Sequence, residues 1–178
     1  PIKSGILLDL INPIENAEVL YKDADLDSIY LLGKSFKNRS LKGHHAQTEE
    51  EIYSLDADEI DLSRALIVSL QKEDSPKTSY TFYEAMIDLM ALQIQIRLSP
   101  ESSPQEKIYA INQFIFYEMH FRFPPESLYA SSIDFYTFLP SVLQSRQGVC
   151  LGISTLYLCL AQRLNLPLEM ITPPGHIY

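Results

Sequence analysis

Apolar positions recur at helical spacing along most of the chain. The longest such segment is Ser79 to Leu98, where Tyr80, Tyr83, Met86, Ile87, Met90, Leu92, Ile94 and Leu98 leave no wholly polar side. That pattern predicts a central, largely buried helix, with its Met and aromatic residues serving as core and not as a cofactor box. Asp25 to Phe36 has looser helical spacing, and a short helix is expected over 14–21 after Pro13. Thr48 followed by Glu51 has the form of a capping box opening a helix. Further helices are expected over about 58–71, over 104–119 behind the cap Ser103, over 135–145 and over 150–164. Strand character is confined to Leu168–Ile171 and His176–Tyr178. Lys37 to Gly43 reads as a loop or boundary.

Charge narrows the function classes. There are 14 Lys and Arg against 23 Asp and Glu, 14 − 23 = −9 at neutral pH. Such a chain repels phosphate backbones and anionic membrane surfaces, so neither nucleic acid nor a membrane is expected as partner. No run of 18 apolar residues exists to span a bilayer, and residues 1–20 lack the pattern of a secretory signal. The two cysteines, Cys150 and Cys159, stand nine residues apart in one expected helix, roughly 13 Å of rise and beyond disulfide reach. Both read as reduced thiols, and the compartment as cytoplasmic. No histidine stands four residues from another histidine or a cysteine, so no helical metal pair is expected. His44 and His45 read as a solvated loop, and no cofactor or metal is expected.

The candidate chemistry lies at the end of the chain. Gly148-Val149-Cys150 precedes a helix, and Pro173-Pro174-Gly175-His176 follows it. A helix N-terminus stabilises a thiolate by its partial charge and presents free N–H groups to an oxyanion. Gly148 would admit close backbone approach to a substrate, and Gly152 would keep the next turn slim. Helical projection places Cys150 with Ile153, Tyr157, Leu160, Ala161 and Leu164 on an inward face. Cys159 falls opposite, beside Gly152 and Arg163, as core or surface filler. Asn165 ends the helix, and a strand, a proline turn and a second strand could return His176 to the thiol. Cys150 as nucleophile and His176 as base compete with plainer readings, a small buried residue and a structural histidine. Gln144, Gln147 and Tyr136 are weaker oxyanion-donor candidates against ordinary polar surface. His120 reads as a packed or capping residue.

The segments Arg146-Gln147-Gly148-Val149-Cys150, Ser154 to Leu164, Leu166-Pro167 and Pro173-Pro174-Gly175-His176 resemble the transglutaminase-like superfamily, and most nearly its bacterial SirB-type branch. The likeness reaches upstream through Ile111 to Phe121 and covers about residues 60 to 178. It implies a papain-like arrangement in which a cysteine attacks an acyl group and a histidine is the base. Many members of that branch carry proline at the position of Cys150. The family's third residue follows the histidine on the next strand, and no residue here matches it.

The expected fold class is therefore α+β: a mostly helical N-terminal body leading into a papain/transglutaminase-like core whose sheet is only begun at the C-terminus. Residues 1–59 are expected to form a helical extension, and 60–178 the transglutaminase-like domain, cut short after the histidine strand. The expected function is cysteine acyl transfer on a protein or peptide, as hydrolase or transferase, through Cys150 and His176. The alternative is a non-catalytic interaction module on the same fold. Oligomeric state is open.

Overall fold

The computed structural model describes residues 26–70, 78–124 and 133–174. The helix expected over 14–21, the final strand over 176–178 and His176 itself lie outside these residues. Seven α-helices are described: α1 (Leu26–Leu32), α2 (Glu49–Tyr53), α3 (Leu62–Val68), α4 (Thr78–Gln95), α5 (Pro104–Asn112), α6 (Leu139–Ser145) and α7 (Cys150–Arg163). Short 3₁₀ turns over Gly33–Ser35, Lys37–Ser40 and Lys42–His45 link α1 to α2.

The helix α4 is the centre. Every residue from Glu84 to Ile94 is buried, because α1, α3, α6 and α7 all pack on it. Ile87, Ala91 and Ile94 lose all contact with solvent. A helix apolar on more than one face can only be satisfied this way, so its sequence dictated its position. Ile29 and Phe36, Ile111 to Met119, and Leu156 to Leu166 join the same core. The segment before residue 60 thus contributes to one interior with the segment after it.

Helix ends follow their local chemistry. Thr48 Oγ1 accepts from the Glu51 N–H, while Glu51 Oε2 accepts from the Gln47 N–H, one residue outside a standard capping box. Ser103 and Glu106 form a full capping box with Pro104 in the first turn. The helix expected over 104–119 begins as α5 and then widens into a π-helical stretch, Gln113–Glu118. His120 ends it in the left-handed conformation (φ 57°), exposed, with the Phe121 N–H bonded back to the Ile115 carbonyl. Its capping role is thus a backbone one. Asn165 (φ 50°) ends α7 in the same way.

The strand expected over Leu168–Ile171 is corrected. Leu168–Ile171 runs without a partner, and Ile171 is 65% exposed. A strand exists only through its ladder, and no neighbouring edge meets this one among the described residues. Extended pairing there is limited to an isolated parallel bridge between Arg122 and Gln147. The papain-like sheet is therefore not seen in the described residues, which are mostly helical.

A polar ring runs through this apolar body. Asp88, in the middle of α4, has no solvent exposure. Arg163, in the last turn of α7, donates from Nε to Asp88 Oδ1 at 2.6 Å and from Nη2 to Ser63 Oγ at 3.1 Å. Ser63 Oγ donates to Asp61 Oδ1 at 2.7 Å, and Asp61 Oδ2 lies 2.8 Å from His44 Nδ1. Arg39 closes the ring, with Nη1 2.8 Å from His44 Nε2 and Nη2 donating to Asp88 Oδ2. Arg39 has only donors, so His44 accepts at Nε2 and donates to Asp61 from Nδ1. Two arginines face two aspartates, and the charges balance.

Breaking one member of such a buried ring strands its partners. Asp88→Ala is expected to cost about 3–5 kcal/mol, because two guanidiniums lose their counter-charge. The urea midpoint followed by circular dichroism measures this. Lys42→Ala, which removes the exposed pair with Glu59, is expected to shift that midpoint far less.

Candidate active site

The loop that presents Cys150 is held at three places. Arg146 takes the left-handed conformation (φ 55°) after α6 and turns the chain. Its carbonyl accepts from the Arg122 N–H at 3.0 Å, and the Gly148 N–H donates to the Arg122 carbonyl at 3.1 Å. The Val149 N–H donates to the Tyr136 carbonyl at 2.9 Å. Helix α7 then begins at Cys150, and no side chain caps it. Its first-turn N–H groups are therefore not taken by a capping side chain.

Two glycines fix this geometry. A Cβ on Gly152 would lie 2.4 Å from the Tyr136 carbonyl oxygen, so the slim turn is required by a crossing backbone. Gly148 is buried against Ile153, where a Cβ would meet Cδ1 at 2.9 Å. The described contacts of Gly148 are those of internal packing.

The two thiols differ, and the expected faces of the helix are corrected in part: Leu160, Ala161 and Leu164 are buried as expected, but Cys150 is not on the inward side and Cys159 is. Buried residues of α7 are Gly152, Thr155, Leu156, Cys159, Leu160, Ala161 and Arg163. The inward face is thus centred on Cys159, which is fully buried, while Cys150, Ile153 and Tyr157 are half-buried. The projection erred because it took apolar type as the guide. Buried Arg163 marks the inward side, since its partner Asp88 lies in α4. Burial pushes the Cys159 thiol up to about 12, offset in part by the Arg163 charge and reinforced by Asp61. Cys159 is therefore inert, and Cys150 is the thiol at the surface end of the helix.

Other expected residues fall as follows. Gln144 is exposed and donates to the Tyr83 hydroxyl at 2.8 Å. Gln147 is half-buried, its N–H bonded to Ser145 Oγ. Tyr136 contributes its carbonyl to the loop and its ring to an edge contact with Phe135. His176 lies outside the described residues, so its separation from Cys150 is not part of the geometry. His44, expected in a solvated loop, is only 5% exposed and belongs to the buried ring, whereas His45 is exposed. The turn Lys42–His45 is drawn inward because Gly43 packs directly on the backbone of residues 59–61, leaving 2.7 Å from a Cβ to the Asp61 nitrogen.

Among the described residues, His44, Asp61 and Glu84 form a group of metal-ligand type, one donor atom from each lying within 4.8 Å of the others. Their atoms are already engaged. Asp61 accepts from His44, Asn38 and Ser63, and Glu84 faces Arg64 at 2.7 Å. With Arg163 also beside them, a cation would meet more positive charge than free ligand. The donor set does not fit a metal.

The same surroundings set the acid behaviour. Burial pushes the Asp61 carboxyl up, but hydrogen bonding from His44, the Arg163 charge and bonds from Ser63 and Asn38 outweigh it. The carboxyl is held well below the usual range. Glu84 goes the other way: burial raises it, and Arg64 only partly compensates.

A family model described as the transglutaminase-like superfamily matches residues 81–178. That span runs from α4 past α7 and begins later than the resemblance at about residue 60. No curated protein and no solved structure matches the chain.

Two outcomes are expected. In the native chain at about pH 8 a thiol reagent should modify Cys150 and spare Cys159 until denaturant is added, as peptide mass spectrometry reads directly. Asp61, depressed in the fold, contributes stability that is complete above its ordinary value of 3.8 and lost as pH falls below it. Urea midpoints should therefore drop between roughly pH 4 and pH 2, and drop less steeply in Asp61→Asn, which starts from a lower midpoint at neutral pH.

Proposed function

The chain belongs to the transglutaminase-like superfamily, and from that premise we propose that it is a cysteine acyl-transfer enzyme of the SirB-type branch. Its nucleophile is Cys150 and its base is His176. The observation that carries this reading is the contrast between the two thiols of α7. Cys150 opens the helix, half-buried and beside N–H groups that no side chain caps, while Cys159 is sealed in the core.

The chemistry follows from that placement. The Cys150 thiol passes its proton to the His176 imidazole, and the sulfur attacks the acyl carbon of a peptide, isopeptide or amide. The first-turn N–H groups of α7 are the natural donors to the oxyanion that forms. Collapse breaks the C–N bond, and the protonated imidazole returns its proton to the departing amine. Water or a second amine then attacks the thioester, with His176 taking its proton, and the Cys150 thiol is restored. Hydrolysis and transfer differ only in which nucleophile enters at the second step.

Alkylation kinetics provide the test. Cys150 should react with iodoacetamide at pH 6 to 7 at least about tenfold faster than free cysteine, and His176→Ala should remove that advantage. A rate equal to free cysteine would leave a non-catalytic interaction module as the function.

A further inference from the structure

A cavity of about 820 Å³ opens at the C-terminal end of α7, the end away from Cys150. With 1.5 Å of rise per residue, the two ends are roughly 20 Å apart. Lys34, Lys37, Arg39, Lys107 and Arg163 line the cavity, with no aspartate or glutamate among the lining residues. In a chain with 23 acidic and 14 basic residues, an unselected wall would carry more acids than bases. The cavity has the opposite sign from the protein that contains it.

The five cations are not equivalent. Arg39 and Arg163 are balanced by the buried aspartates of the ring, and their guanidinium forks are committed to Asp88, His44 and Ser63. Lys34 and Lys37 are exposed and form no ion pair among the described residues, although Lys37 acts at range on Glu59. Lys107 gives one N–H to the Leu164 carbonyl at 3.0 Å and keeps two more donors. The end of a helix repels anions, but here Lys107 covers the Leu164 carbonyl and Arg163 covers that of Cys159. What lines the cavity in excess is three lysines, Lys34, Lys37 and Lys107. Beside them the half-exposed Tyr30 ring lies over the Arg39 guanidinium, 4.5 Å from its centroid, and forms an apolar shoulder.

We propose that this cavity binds a small phosphorylated molecule, with the phosphate held by Lys34, Lys37 and Lys107. Compact ammonium charges without fixed orientation suit a tetrahedral polyanion, whereas the guanidinium forks that would read a carboxylate bidentately are already occupied. The volume is that of a site for a ligand of metabolite size. The proposal does not rest on the chemistry at Cys150, since no residue is shared between the two places.

Isothermal titration with inorganic pyrophosphate tests it, at an ionic strength fixed by chloride, with citrate as the carboxylate probe. Pyrophosphate should bind saturably at one site, and Lys34→Ala/Lys37→Ala should weaken it at least about tenfold without changing the unliganded melting temperature. Lys107→Met should weaken it independently. Three results would overturn the proposal: no saturable binding up to about 10 mM, equal binding by the lysine variants, or citrate binding tighter than pyrophosphate.

Discussion

Asp88 is the group on which the remaining architecture depends. A carboxylate at the centre of a buried helix is costly unless it is fully paired, and pairing it requires two distant segments to arrive together. Arg163 comes from the end of α7, and Arg39 from the turns after α1. Once both guanidiniums are in place, Ser63, His44 and the Cys159 carbonyl take further donors from them, and Asp61 in turn joins Ser63 to His44 while capping α3 through the Ser63 and Arg64 N–H groups. One buried charge thereby fixes the relative placement of α3, α4, α7 and the turn segment.

The ring also sets the orientation of α7. With Arg163 facing Asp88, the helix must present Thr155, Leu156 and Cys159 to the core, and Cys150 falls half outward. The surface thiol and the cationic cavity are thus opposite consequences of one constraint. At one end of the helix, the Arg122–Arg146–Gly148 contacts hold the loop before Cys150. At the other, the arginines are drawn inward by aspartates, and lysines that form no ion pair among the described residues remain at the rim.

Local sequence signals were legible where local chemistry decides. Ser103 announced α5, Thr48 with Glu51 announced α2, and Asn165 announced the end of α7. The apolar run of α4 foretold a central helix. The transglutaminase-like membership was also legible, in the motif around Cys150 and the Pro-Gly-His that follows. The choice of face on α7 was not, because apolar residues lie on both sides and only a charge with a distant partner breaks the tie. His44 was misread for the same reason: a Lys-Gly-His-His turn looks solvated until Gly43 is seen to pack against residues 59–61.

By itself the sequence placed the described α-helices, marked several of their ends and showed which thiol opens a helix, because these follow from periodicity, capping and turn chemistry within a few residues; the helices expected over 58–71 and 135–145 are shorter in the fold, Leu62–Val68 and Leu139–Ser145. The tertiary structure decided what the charged residues do. Asp88, Arg163, Asp61 and His44 are unremarkable at their positions along the chain, and their hydrogen bonds span separations of up to 100 residues. It also decided that Leu168–Ile171 stays unpaired among the described residues, since a strand needs a neighbour that periodicity cannot supply. One signal of the ring was present in the sequence: Asp88 and Arg163 are charges set within helices whose buried positions are otherwise mostly apolar.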